Sequence, residues 1–407
     1  MQLYKEAFEF LNIYIRKSPI NSRITAMTAL KLLFSFQEII KKSLFEFTQE
    51  DITLFKSLLK GDNISGVEAT LELTTTRSNK TIDNYISVYR KLIDFVSPDS
   101  LIANIFNKTQ NTISTNETYN GIRNPKYKIS EKKYKNIEIP HYISEREFIS
   151  ILKYCRDRNL VMEECVIRLM YQCALRIGEV LGLTNEDLVN QKYEGNYQKA
   201  VIIRNRLTDK KHQNAKTCLK VFSKSDYSSS DYSTYNNGWQ MVLVPEDLYE
   251  LIESYIEEYH AKAYESRQNT YIQYSLADHV DPNYHNEIGN FYIFINSLAR
   301  PLSQKIWNER LRVIFKDCGI DIDSDKRKHN LSHRFRHGFA MHTIKYRGDK
   351  VNRMQLAELM RHSNVSSVDI YYRPTISDKI KLKTDFNDYL YEIIPELRFR
   401  SDAAKHL

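Results

Sequence analysis

"HNLSHRFRHGFAMH", residues 329–342, is the stretch on which the reading of this chain turns. His333, Arg336 and His337 stand at i, i+3 and i+4, so a helix would put them on one face. Zinc held by His333 and His337 would need a third ligand, and no Glu stands between them in an HExxH pattern. A solvated basic face would carry no chemistry. A phosphate clamp would use arginine as a forked donor and histidine as a group titrating near neutral pH. This segment alone leaves the last two readings open.

Two neighbouring segments bear on the choice. In "ALRIGEVLGLTNEDL", residues 174–188, the apolar spacing is helical, and Arg176 and Glu179 share a face. Arg176 is embedded among Ala174, Leu175, Ile177, Val180 and Leu181. An arginine there must be paired or bind an anion, because burying it alone is costly. In "LMRHSNVSSVDIYYRPT", residues 359–375, Ser366 and Asp369 predict the cap of a short helix. Tyr371 lies one turn into it, nine residues after His362, and Tyr372 points about 100° away. Taken alone, each tyrosine reads as a packing residue.

The chain of 407 residues is long enough for two or three domains, and its 42% hydrophobic content supports a sizeable core. No run approaches the roughly 18 apolar residues of a membrane span. The start, "MQLYKEAFEFLNIYIRK", is amphipathic and lacks a signal-peptide pattern, so the expectation is a cytoplasmic protein. Five cysteines, with no CxxC, indicate neither a disulfide framework nor a zinc knuckle. A net charge of +8 favours a polyanionic partner. The 28 tyrosines carry no functional weight, since a codon bias produces the same excess.

Residues 1–105 read as a small all-helical domain. "SRITAMTALKLLFSFQEIIKKSLF" and "SNKTIDNYISVYRKLIDFV" show three- and four-residue apolar spacing, the second capped by Ser78 or Asn79. Residues 106–143 read as an exposed linker, whose "IRNPKYKISEKKYK" is either a solvated tether or a strand tracking phosphates. Ser144 and Glu147 form a capping box that opens a mainly helical domain over 144–395, with a tail at 396–407. Within it, "KAVIIRNRL" and "WQMVLVP" read as strands of one small sheet, and "FYIFIN" is a third short apolar run. The segment 221–238, with SDY repeated, reads as an insertion enlarging the hairpin loop.

In chain order these features are R-x-x-E, a hairpin carrying lysines, H-x-x-R-H, H-S-N, and a tyrosine nine residues on. This order resembles the tyrosine recombinases of the phage-integrase type. "ALRIGEVLGL", "HRFRHGFA" (with Phe335 in place of Leu), "MRHSN" and "DIYYR" match the four boxes of that family, over roughly residues 140–380. The resemblance implies a mainly α fold with a small antiparallel sheet: a helical core-binding domain and a mixed α/β catalytic domain. It implies that Tyr371 attacks a DNA phosphodiester to give a 3′-phosphotyrosine and a free 5′-hydroxyl. Arg176 and Arg336 would stabilise the phosphoryl oxygens. His333 would serve as acid–base partner, and His362 would hydrogen-bond a phosphoryl oxygen. Glu179 would orient these groups, and His337 would be structural.

A hairpin lysine would protonate the leaving oxygen. Lys210, Lys211, Lys216, Lys220 and Lys224 are available, and the "AKT" context selects Lys216. Arg361 stands where the family has Gly, and reads either as a phosphate contact or as a solvated side chain. No metal or nucleotide cofactor is implied. The implied partners are duplex DNA, a homotetramer on paired sites, and an accessory directionality protein, for an integrase or transposase of a mobile element working on the nucleoid. A type IB topoisomerase-like relaxing enzyme and a non-catalytic DNA-binding protein on the same scaffold are the alternatives.

Overall fold

Ser78 does cap a helix, its hydroxyl accepting the Thr81 N–H. Ser144 and Glu147 form the reciprocal box read from the sequence, the Ser144 N–H donating to Glu147 Oε2 at 2.7 Å. In this computed structural model residues 2–62, 76–98, 139–193, 195–267, 291–322, 331–347 and 350–394 are described. The basic stretch 122–135 and the tail 396–407 lie outside them. The chain divides into two compact units, Met1–Asn136 and Ile137–Leu407.

The first unit is helical: α1 (Gln2–Glu9), α2 (Ile20–Ile40), α3 (Gln49–Lys60) and α4 (Asn79–Val96), with a π turn at Phe10–Tyr14. The apolar stripes of α2, α3 and α4 close on a core containing Phe36, Phe55 and Tyr89. The Phe36 and Phe55 rings stack at 4.7 Å. Tyr89 is buried there, and its hydroxyl is satisfied by Ala29 O at 2.9 Å.

The second unit is built around one helix. After α5 (Glu145–Asp157), α6 (Val161–Gln172) is buried from Met162 through Tyr171. A helix enclosed on all sides belongs at the centre of its domain, and α5 and the helices Glu246–Tyr255 and His333–Arg347 all pack on it. Its buried acids are paired: Glu163 with Arg310 at 2.5 Å, and Glu164 with Arg156 at 2.8 Å. The remaining α-helices among the described residues are α7 (Ile177–Leu181), α8 (Ser230–Ser233), α9 (Glu246–Tyr255), α10 (Gln304–Asp317), α11 (His333–Arg347), α12 (Arg353–Leu359) and α13 (Ile376–Ile393). Among the described residues no helix is long and apolar enough to cross a membrane.

One antiparallel sheet runs β1 (Leu188–Tyr193), β2 (Asn196–Arg204), β3 (Trp239–Leu243), with Val201 opposite Leu188 and Val242. The sequence reading found β2 and β3 but not β1. That edge strand is polar and exposed over 190–192, beyond its half-buried Leu188 and Val189, so it lacks the alternation that marks a strand. "FYIFIN" forms only isolated bridges, Tyr292 with Thr184 and Ile295 with Pro301.

The loop between β2 and β3 is ordered by its own residues. Buried Asn205 donates to Ala215 O, Cys218 O and Leu219 O at 2.9–3.0 Å, and accepts the Ala215 N–H at 2.8 Å. The repeated tyrosines, Tyr227 and Tyr232, meet edge-on at 5.1 Å. Tyr227 Oη accepts the Leu207 N–H, and Tyr232 Oη donates to Asn205 O. Repetition of SDY here encodes a folded turn, not slack chain.

Candidate active site

The site is assembled where α6 ends. Ala174 takes a left-handed backbone, φ 51°, which turns the chain sharply after Gln172. The helix expected over 174–188 is therefore short, starting at Ile177 with Arg176 as its extended N-cap residue. Arg176 and Glu179 consequently pair as a cap rather than along a helix face. The Arg176 N–H donates to Glu179 Oε2 at 2.8 Å, and Arg176 Nη1 donates to Oε1 at 2.7 Å. Gly178 lets α7 lie against the lysine-bearing loop, since a Cβ there would stand 2.9 Å from Asn214 O.

Arg336 enters from the first turn of α11, 2% exposed, and donates to Ala174 O and Met360 O. Burial, with Arg176 close by, pulls its pKa well below the usual arginine range. Arg361 enters from the turn after α12. Its Nη2 donates to Ala174 O at 2.8 Å and to Glu179 Oε2 at 3.0 Å. The solvated reading of Arg361 does not hold: this side chain is engaged inside the protein. The backbone keeps the left-handed turn expected of a glycine, at φ 51°. Burial alone would raise the Glu179 pKa, but Arg361, Arg176 and Arg336 overcome it and hold the carboxyl at about 2.

The two histidines are neutral at physiological pH. Burial brings His333 down to about 4, assisted by the charges of Arg336, Lys216 and Arg176. Burial likewise brings His362 to about 4, with Arg336, Arg176 and Arg361 adding to it. Lys216 is exposed on the loop that Asn205 organises, and its charge is felt at His333. Lys220 is half-buried, with its pKa lowered by burial and by Lys216.

Tyr371 is 4% exposed, and its hydroxyl lies 2.6 Å from His337 Nδ1. Burial raises its pKa to about 12, although Arg336 and Arg176 pull the other way. His337, expected only to support the fold, thus touches the tyrosine directly. Tyr372 is committed elsewhere: its hydroxyl donates to Val351 O at 3.1 Å, and Arg353 lies over its ring. The turn before them, Val365–Val368, is a 3₁₀ helix capped by Asn364, not by Ser366, because the Asn364 side chain accepts the Ser366 N–H. Among the described residues no three His, Cys, Asp or Glu side chains gather as metal ligands.

This geometry gathers Arg176, Glu179, Arg336 and Arg361 into one ionic cluster, with His333, His362 and Tyr371 in its field. Comparison with known proteins agrees in fold. The XerH site-specific recombinase in a post-cleavage complex matches with TM-score 0.52 and 15% identity, over 91% of this chain and 82% of that one. XerH in its pre-cleavage complex on difH matches with TM-score 0.51 and 15% identity, over 88% and 78%. The Tn1549 transposon integrase on transposon right-end DNA matches with TM-score 0.51 and 14% identity, over 94% and 99%. No curated protein matches the sequence. The phage integrase family model matches residues 141–377. The chain belongs to that family, the tyrosine recombinases, whose catalytic domain breaks and rejoins DNA strands.

Proposed function

We propose that this protein is a site-specific recombinase of a mobile element, cutting and rejoining duplex DNA through a 3′-phosphotyrosine on Tyr371. The observation that carries the reading is a buried tyrosine, Tyr371, its hydroxyl 2.6 Å from His337 Nδ1, lying in the field of two arginines, Arg336 and Arg176. In this mechanism the Tyr371 hydroxyl leaves His337 and attacks phosphorus, and the bond from phosphorus to the 5′-oxygen breaks. Arg176 and Arg336 donate to the non-bridging oxygens as charge develops there. His362 donates one further hydrogen bond to the phosphoryl group. His333, neutral at physiological pH, accepts the tyrosine proton. Lys216 delivers a proton to the departing 5′-oxygen. Attack by a 5′-hydroxyl on the phosphotyrosine reverses the sequence and releases Tyr371. Glu179 holds the Arg176 fork in place throughout.

The domain assignment follows the same reading: residues 1–105 clamp DNA, 106–143 link, and 144–395 carry the chemistry. Two solved relatives in fold, XerH and the Tn1549 integrase, are crystallised on their DNA sites. The reading includes a homotetramer on paired sites and an accessory directionality protein. An exposed apolar face on α13, with Leu382, Phe386, Tyr389 and Ile393 each more than half exposed, supports subunit contact. The test is recombination between two copies of the element's joined ends on a supercoiled plasmid. Exchanged products and Holliday junctions are expected. Relaxation of plasmids lacking the site, without exchange, would point to a topoisomerase instead.

A further inference from the structure

Arg361 is the one cation of the cluster that the family's boxes do not account for, and it has the most internal partners. Its side chain is 8% exposed. Nη2 reaches Glu179 Oε2 and Ala174 O, and Nη1 reaches Cys173 O at 3.3 Å. Its own carbonyl faces Arg176 Nη2 at 3.4 Å. One residue therefore ties together the end of α6, the cap carboxylate, and the arginine that the carboxylate holds. Ala174 stands in a left-handed turn outside any helix, so the carbonyls of Cys173 and Ala174 are held by side chains, and Arg361 reaches both.

We propose that Arg361 is a positioning residue for strand cleavage: its guanidinium fixes Glu179 and the 173–174 turn, and through them aims Arg176 and Arg336 at the scissile phosphate. This rests on the reading of Arg176 and Arg336 as phosphate ligands. Glu179 accepts from both guanidinia at once, Nη1 of Arg176 on Oε1 and Nη2 of Arg361 on Oε2, so loss of either loosens its hold on the other. Ala174 O accepts from Arg336 as well as from Arg361, which couples the second phosphate ligand to the same anchor. Arg361 itself contributes no atom to the reacting centre in this arrangement.

The backbone supplies an unusually clean test. At φ 51° glycine is at ease, so Arg361→Gly deletes the guanidinium without straining the turn. Arg361→Lys keeps the charge but not the fork. Full-length protein is mixed with a nicked suicide duplex carrying the element's end. Affinity is read by gel shift and the rate of covalent adduct formation at saturating DNA by denaturing gel. Misplacement of a catalytic group by an ångström costs roughly 100-fold. We expect R361G to form adduct about 100-fold more slowly with affinity within about 3-fold of wild type, and R361K to recover only part of the rate. R361G and Glu179→Gln should be non-additive, the double variant reacting no more slowly than Glu179→Gln alone.

An R361G rate within about 2-fold of wild type overturns the proposal, as misplacement would cost far more. So does a loss of affinity at unchanged rate, which would make Arg361 a phosphate contact. If circular dichroism shows R361G unfolded, a folded R361K reacting at the wild-type rate overturns it equally. A wild-type protein that binds the duplex and forms no adduct overturns the recombinase reading and this proposal with it. That outcome is distinct from an active wild type with an indifferent Arg361.

Discussion

Replacing Glu179 by Gln tests the electrostatic heart of the site. The carboxylate side chain is fully buried, and it is the shared counter-ion of Arg176 at 2.7 Å and Arg361 at 3.0 Å. Arg336 also feels its charge. Gln keeps the shape and an acceptor for the Arg176 N–H, but it removes the negative charge that three guanidinia share. Removing one partner of a buried ion pair costs about 3–5 kcal/mol, because the remaining charge is left uncompensated. An exposed pair would cost at most about 1 kcal/mol. The assay is urea unfolding of the full-length protein at pH 7, with the free energy difference taken at constant slope. A loss below about 1 kcal/mol would refute the reasoning, since it would mean that the cluster is effectively solvated. The same difference has a sign in pH. The Glu179 pKa falls from 4.5 to about 2 on folding, so its contribution is complete above pH 4.5 and is lost as the pH falls through 2.

Further outcomes follow from neighbouring residues. His333 and His362 drop from 6.5 to about 4 on folding, so the unfolded chain takes up protons first, and stability should decline as the pH is lowered from 6.5 to 4. His333→Gln should flatten that decline in thermal melts across the window; an unchanged slope would contradict the assignment. Gly338→Ala should destabilise by roughly 1–3 kcal/mol in urea titration, as an added Cβ would stand 2.5 Å from Ile143 O and 2.6 Å from the Tyr171 ring. Asn205→Ala should slow cleavage while DNA affinity stays near wild type, because the loop carrying Lys216 loses the four hydrogen bonds that order it. An unaltered cleavage rate would detach Lys216 from the chemistry.

The sequence was most legible where chemistry dictates residue type. An arginine inside an apolar run must find an anion, and Arg176 does, on Glu179. Ser78 and Ser144 announced their helices because a cap is a local contract between residues three apart. What stayed hidden depends on contacts distant in sequence. His337 reads as scaffold until α11 brings it to Tyr371, which lies 34 residues further on. Arg361 offered two readings, and the internal bonds that set aside the solvated one stayed hidden because its partners Cys173, Ala174 and Glu179 lie on another part of the chain. The short α7 was missed for a local reason: its apolar spacing is helical throughout, and nothing in "CALRIG" signals that Ala174 adopts positive φ. The edge strand β1 was missed because its apolar residues, Leu188 and Val189, are adjacent and the rest is polar, which leaves no alternation to mark its period.

The most direct test of the central claim is to identify the residue joined to DNA. Wild type, Tyr371→Phe and Tyr372→Phe would each be reacted with the suicide duplex, digested, and mapped by mass spectrometry for a peptide bearing a 3′-phosphonucleotide. The account predicts an adduct on Tyr371 in the wild type and in Tyr372→Phe, and none in Tyr371→Phe. An adduct on Tyr372, whose hydroxyl is bonded to Val351 O, would contradict it.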